Sequence, residues 1–82
     1  LRAEQEPTLP AAERILESAA RVLADRGATG LSMADVAAAA GVSKGLIHYH
    51  YRDKDALLAR LAGWLAEEVE ARERAALRGV AP

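Results

Sequence analysis

The only two histidines and two tyrosines of this 82-residue chain stand side by side, as His48-Tyr49-His50-Tyr51. Its only two lysines, Lys44 and Lys54, bracket them. Imidazole and phenol groups donate and accept hydrogen bonds, and an ammonium donates in three directions. Gathered on one surface, such groups suit phosphate oxygens and base edges. Catalysis and metal binding fit less well. His48 and His50 are two apart, so on a helix they do not face one another, and there is no cysteine to complete a metal site. There is no Ser/His/Asp ordering and no glycine-rich phosphate loop. The cluster Glu67, Glu68, Glu70 and Glu73 reads as a solvated helix face. Neither an enzyme activity nor a cofactor is expected.

The flanking sequence shows how such a surface is positioned. Ser43 and Asp53 are both helix-start residues, and they lie about one short helix apart. Upstream, Ser32 has Asp35 three residues on, with Leu31 and Val36 spaced as a hydrophobic staple; Val42 and Ile47 repeat the staple around Ser43. Gly41 separates the two short helices, 33–40 and the one beginning after Ser43. Short helices joined through a glycine turn are the sequence form of a helix-turn-helix. Before them, Ile15, Leu16, Ala19, Ala20, Val22 and Leu23 recur at helical spacing, predicting a helix over 10–26. Pro10 suits its first turn, and Gly27 suits a left-handed stop. Residues 28–30 read as a connector. After Asp53 a long helix is predicted over 54–78, with Leu57, Leu58, Leu61, Leu65 and Val69 as its inner stripe and Trp64 at the margin of the core.

Composition sets the bounds. The chain is one small domain, rich in alanine and aliphatic residues and without phenylalanine, which implies closely packed helices. The absence of cysteine fits a reducing cytoplasm, and no apolar run approaches the roughly 18 residues of a membrane span. A formal net charge of -1 argues neither for nor against nucleic acid. Its distribution is more telling: Lys44, Arg52 and Lys54 outweigh Asp53 in residues 44–54, whereas four glutamates outweigh Arg72 in residues 67–73. Residues 1–9, punctuated by Pro7, read as a flexible lead-in.

The ordered set Ala19-Ala20, Leu23, Arg26-Gly27, Thr29, Leu31 to Ala37, Ala40 to Gly45, Tyr49-His50-Tyr51 and Lys54 to Leu58 resembles the N-terminal DNA-binding domain of TetR/AcrR-type transcriptional regulators. The resemblance implies an all-α fold, a small helical bundle with a homeodomain-like helix-turn-helix and the start of a long fourth helix. It implies residues 10–56 as the DNA-binding domain and 57–82 as a helix leading to a C-terminal domain absent from this chain. That domain would supply homodimerisation and a small-molecule effector pocket, making this chain part of a longer, ligand-responsive regulator, a repressor on a pseudo-palindromic operator.

Helix-turn-helix geometry puts the start of the second helix against base edges, which assigns Lys44, Gly45 and His48 to base readout. Lys44 can donate to guanine; His48 can donate to or accept from a base. Gly45 either lets the helix backbone come close to the bases or is simply a loop residue. The family pattern makes Tyr49, His50 and Lys54 phosphate contacts. Thr29, Ser32 and Ser43 are candidate hydroxyl contacts to phosphate, although both serines are fully explained as caps. Leu46 departs from the hydroxyl or amide residues frequent there; it either meets a thymine methyl or covers the turn. Ile47 and Tyr51 are expected to point inward, Tyr51 replacing the more usual phenylalanine. The competing reading is a helical protein-interaction module that uses an exposed apolar stripe on residues 57–69.

Overall fold

A computed structural model describes residues 10–80; the expected lead-in 1–9 lies outside them. Four helices form: α1 (Ala11–Gly30), α2 (Met33–Ala40), α3 (Lys44–His50) and α4 (Lys54–Val80). There is no strand among the described residues, so the fold is all-α. Helix α1 packs against each of the others, and α2 also packs on α3.

Pro10 stands at the cap of α1, one residue earlier than its expected place in the first turn, and its carbonyl accepts the Arg14 N–H at 3.0 Å. The first stretch of α1 stops at Gly27, though not in the expected left-handed helical geometry. Its φ of 76° and ψ of 170° lie in the mirror image of extended backbone, a region open essentially to glycine alone. Residues 28–30 then coil into one further turn instead of a plain connector, closed by the Leu31 N–H on the Ala28 carbonyl. A 2.7 Å ion pair between Arg26 and Asp35 spans this break and ties α1 to the first turn of α2.

Gly41 adopts the left-handed conformation (φ 70°, ψ 33°). Its N–H donates to the Ala38 carbonyl and that of Val42 to the Ala37 carbonyl, the paired bonds of a Schellman turn. All three side-chain caps form: Ser32 Oγ accepts from Asp35 N–H, Ser43 Oγ from Leu46 N–H and Asp53 Oδ1 from Ala56 N–H, at 3.0, 3.0 and 2.8 Å.

The core draws on every helix: Ile15, Leu16 and Ala19 from α1, Val36 and Ala37 from α2, Ile47 from α3, and Leu57 and Leu61 from α4, with Leu31 and Tyr51 from the connections. The residues of both staples take part in this core: Leu31, Val36 and Ile47 are buried and Val42 packs on the cluster. Trp64 lies at its margin, as expected. The predicted inner stripe of α4 is shorter than its spacing suggests. Leu65 and Val69 are 37% and 54% exposed, because the three shorter helices offer nothing to pack on beyond about Trp64. Helix α4 also runs two residues past the predicted 78, to Val80.

Tyr51 is the one buried aromatic side chain among the described residues, and its hydroxyl donates to the Ala12 carbonyl at 3.1 Å. Burial pushes its phenol pKa up; Arg60 opposes the shift and Glu13 adds to it. Folding thus favours the neutral phenol. Its contribution is complete below the ordinary tyrosine value of about 10 and is lost as pH rises through the higher folded value.

Tyr51→Phe should cost about 1 kcal/mol in neutral urea denaturation. It should also flatten the loss of stability in alkali; parallel wild-type and variant curves above about pH 10 would contradict the buried phenol. No atom lies within 4 Å of a Cβ added at Gly27 or Gly41, so alanine at either position costs only backbone strain. Gly41→Ala is expected to destabilise by about 1 kcal/mol and Gly27→Ala by more, up to about 3 kcal/mol. Equal melting temperatures for the two variants would contradict the assigned backbone geometry.

Candidate nucleic-acid interface

Helix α3 is seven residues long, too short to be stable alone in water. Two apolar groups and one cap hold it. Ile47 is buried, Tyr51 is buried immediately after the last turn, and Ser43 satisfies the Leu46 N–H. With that side turned inward, Ser43, Lys44, Gly45, His48 and Tyr49 are all exposed. Among the described residues, neither Lys44 nor Lys54 takes part in an ion pair.

Gly45 sits in the first turn of α3 with ordinary helical φ, so it is not a loop residue. The nearest atom to an added Cβ is Ser43 Oγ at 3.9 Å, an ordinary contact. Packing does not require glycine here, although glycine costs up to about 1 kcal/mol against alanine in a helix.

Lys44 and His48 are four apart and share one face of α3. His48 Nδ1 lies 3.3 Å from the Arg52 carbonyl, just beyond the helix. The i, i+4 spacing of this pair is visible in the sequence, but the bond is not, because it depends on how Tyr51 leaves the helix (φ -136°, ψ 114°). Tyr49 is 79% exposed, and its ring meets that of half-buried His50 edge-on at 5.0 Å. Leu46 is half-buried and belongs neither to the core nor to the apolar residues packed on it.

Lys54 opens α4 directly after the Asp53 cap and is half-buried. The Ala56 N–H, aided by Arg52, holds the Asp53 carboxyl below its ordinary range. The start of a 27-residue helix presents amide donors and the positive end of its dipole, and Lys54 stands beside them. Thr29 and Ser32 are exposed in and after the extra turn of α1, with the Ser32 hydroxyl engaged as a cap. Among the described residues, no three potential metal ligands sit together and no helix is long and apolar enough to cross a membrane.

The arrangement is a short capped helix, buried along one side and polar along the other, set against a second helix by a glycine turn. A profile of the family described as "Bacterial regulatory proteins, tetR family" matches residues 15–61. The chain is 35% identical over 81 residues to the HTH-type transcriptional regulator CymR of Pseudomonas putida, covering 99% of this chain and 40% of that protein. It is also 35% identical over 49 residues to the HTH-type transcriptional regulator AcrR of Shigella flexneri, covering 60% of this chain and 23% of that protein. No solved structure gives a significant match. The profile spans the Ser32, Ser43 and Asp53 caps, the glycine turn and the buried Ile47, Leu57 and Leu61, and on that ground the chain belongs to the tetR family of bacterial regulatory proteins, DNA-binding transcriptional regulators of helix-turn-helix type.

Proposed function

We propose that α3 is the recognition helix of a sequence-specific regulator and enters the major groove of an operator. Lys44, Gly45 and His48 face base edges, while Tyr49, His50 and Lys54 hold phosphates, with Thr29, Ser32 and Ser43 at the margins. The observation that carries this reading is Gly45. An exposed helical glycine that packing does not require lies next to Lys44, where a bare backbone lets the helix sit deep in a groove. Leu46, apolar and half-buried at the rim of the same helix, contributes contact with a thymine methyl or cover for the turn.

Residues 10–56 form the DNA-binding unit, and 57–82 lead into a C-terminal domain. Exposed Leu65, Val69 and Leu77 give such a domain an apolar ridge to pack on, which accounts for the feature that would otherwise favour a protein-interaction module. Through that domain two copies would pair on a pseudo-palindromic operator, with half-sites about 34 Å apart. A small-molecule effector bound there would release a cytoplasmic repressor from DNA.

Fluorescence anisotropy with salt titration tests the division of labour. Lys54→Ala should weaken binding to all duplexes alike and reduce the salt slope by about 0.9. Lys44→Ala should lower discrimination between operator and random duplex, by up to about 3 kcal/mol at one base pair. Binding that ignores salt and is unchanged by Lys54→Ala would contradict the reading. Gly45→Ala should stabilise the fold by up to about 1 kcal/mol while weakening operator binding; a variant that gains stability and keeps its affinity would show that the bare backbone has no role.

A further inference from the structure

The His48 imidazole already has one nitrogen engaged. Its Nδ1 lies 3.3 Å from the Arg52 carbonyl oxygen, and a carbonyl can only accept, so the bond requires the proton on Nδ1. In a neutral imidazole the opposite nitrogen, Nε2, is then an acceptor. The fold fixes this choice. Tyr51 leaves α3 in extended conformation because its ring is buried and its hydroxyl is tied to Ala12, and Asp53 caps the next helix. Between these two anchors the Arg52 carbonyl is held beside the ring. His48 is exposed, and no bond to Nε2 is found among the described residues.

We propose that His48 reads DNA as a hydrogen-bond acceptor, with Nε2 taking a bond from an exocyclic amine in the major groove, adenine N6 or cytosine N4. These are the two donors that bases present there. The proposal rests on the reading of α3 as recognition helix and adds a polarity to it. Lys44 can only donate, so it pairs with acceptors such as guanine O6 and N7. One face of α3 thus carries a donor and an acceptor four residues apart, and the sites it favours have an acceptor and an amine at neighbouring positions.

Two measurements on this chain test the polarity, both in buffer basic enough to keep imidazoles neutral. Long-range proton–nitrogen NMR of the labelled chain, with the His48 signals assigned by their loss in His48→Gln, should show the proton on Nδ1. A proton on Nε2 would overturn the proposal without reference to DNA. Selection from random duplexes with the wild-type chain and with His48→Ala then locates the base pair whose preference His48 sets. Deleting the amine there, with purine for adenine or 2-pyrimidinone for cytosine, should weaken wild-type binding about 5-fold, the worth of one neutral hydrogen bond, and leave His48→Ala unaffected. Replacing the purine by its 7-deaza analogue should change nothing. Loss on the 7-deaza duplex alone, or identical selections by wild type and His48→Ala, would overturn the acceptor role while leaving Lys44 as a base reader and Lys54 as a phosphate contact. A chain that bound no duplex at all would overturn the recognition-helix reading and this inference together.

Discussion

The inward side of α3 is the constraint on which the polar surface depends. A seven-residue helix containing a glycine and two histidines has little intrinsic stability. It exists because Ile47 is buried in the shared core, where α3 packs on α1 and α2, and because Tyr51 closes the end of the helix against α1. Full burial of a side chain the size of isoleucine is worth about 1.5–3 kcal/mol. The Ser43 cap and the Gly41 turn set its direction. The exposed residues of α3, Lys44, Gly45, His48 and Tyr49, lie outside the core that holds the helix.

Much of this was legible in the sequence because it is local. Ser32, Ser43 and Asp53 each cap a helix three residues before the amide they bind, and Gly41 ends α2 in the conformation that only glycine adopts at low cost. The staples at Leu31–Val36 and Val42–Ile47 follow the same logic. What sequence reasoning missed is non-local or conformational. Periodicity alone extends the apolar stripe of α4 through Leu65 and Val69, but burial needs a partner surface, and α1 to α3 provide one only as far as Leu61 and Trp64. Gly27 was legible as a break, whereas its mirror-extended ψ and the added turn over 28–30 were not. The Tyr51 hydroxyl needed a partner by its chemistry, but a carbonyl 39 residues away has no signature in spacing.

The candidate site shows the same split. Which residues are exposed on α3 follows from helical periodicity once Ile47 is placed inward. The weight of Gly45 changes with the structure: its helical conformation and open surroundings remove the turn-geometry explanation that the sequence left open. The orientation of the His48 ring, set by a backbone carbonyl beyond the helix, could be found only in three dimensions. An overall charge of -1 is compatible with a nucleic-acid partner because Lys44, Arg52 and Lys54 lie within 11 positions of one another, away from the glutamates of distal α4.

Amide chemical-shift mapping during titration with duplex DNA shows which face of the chain meets the nucleic acid. If α3 and the start of α4 form the reading surface, the largest shifts fall on residues 43–54 and fade as salt is raised. Shifts concentrated on the exposed ridge of α4 around Leu65, Val69 and Leu77, with residues 43–54 unmoved, would contradict it.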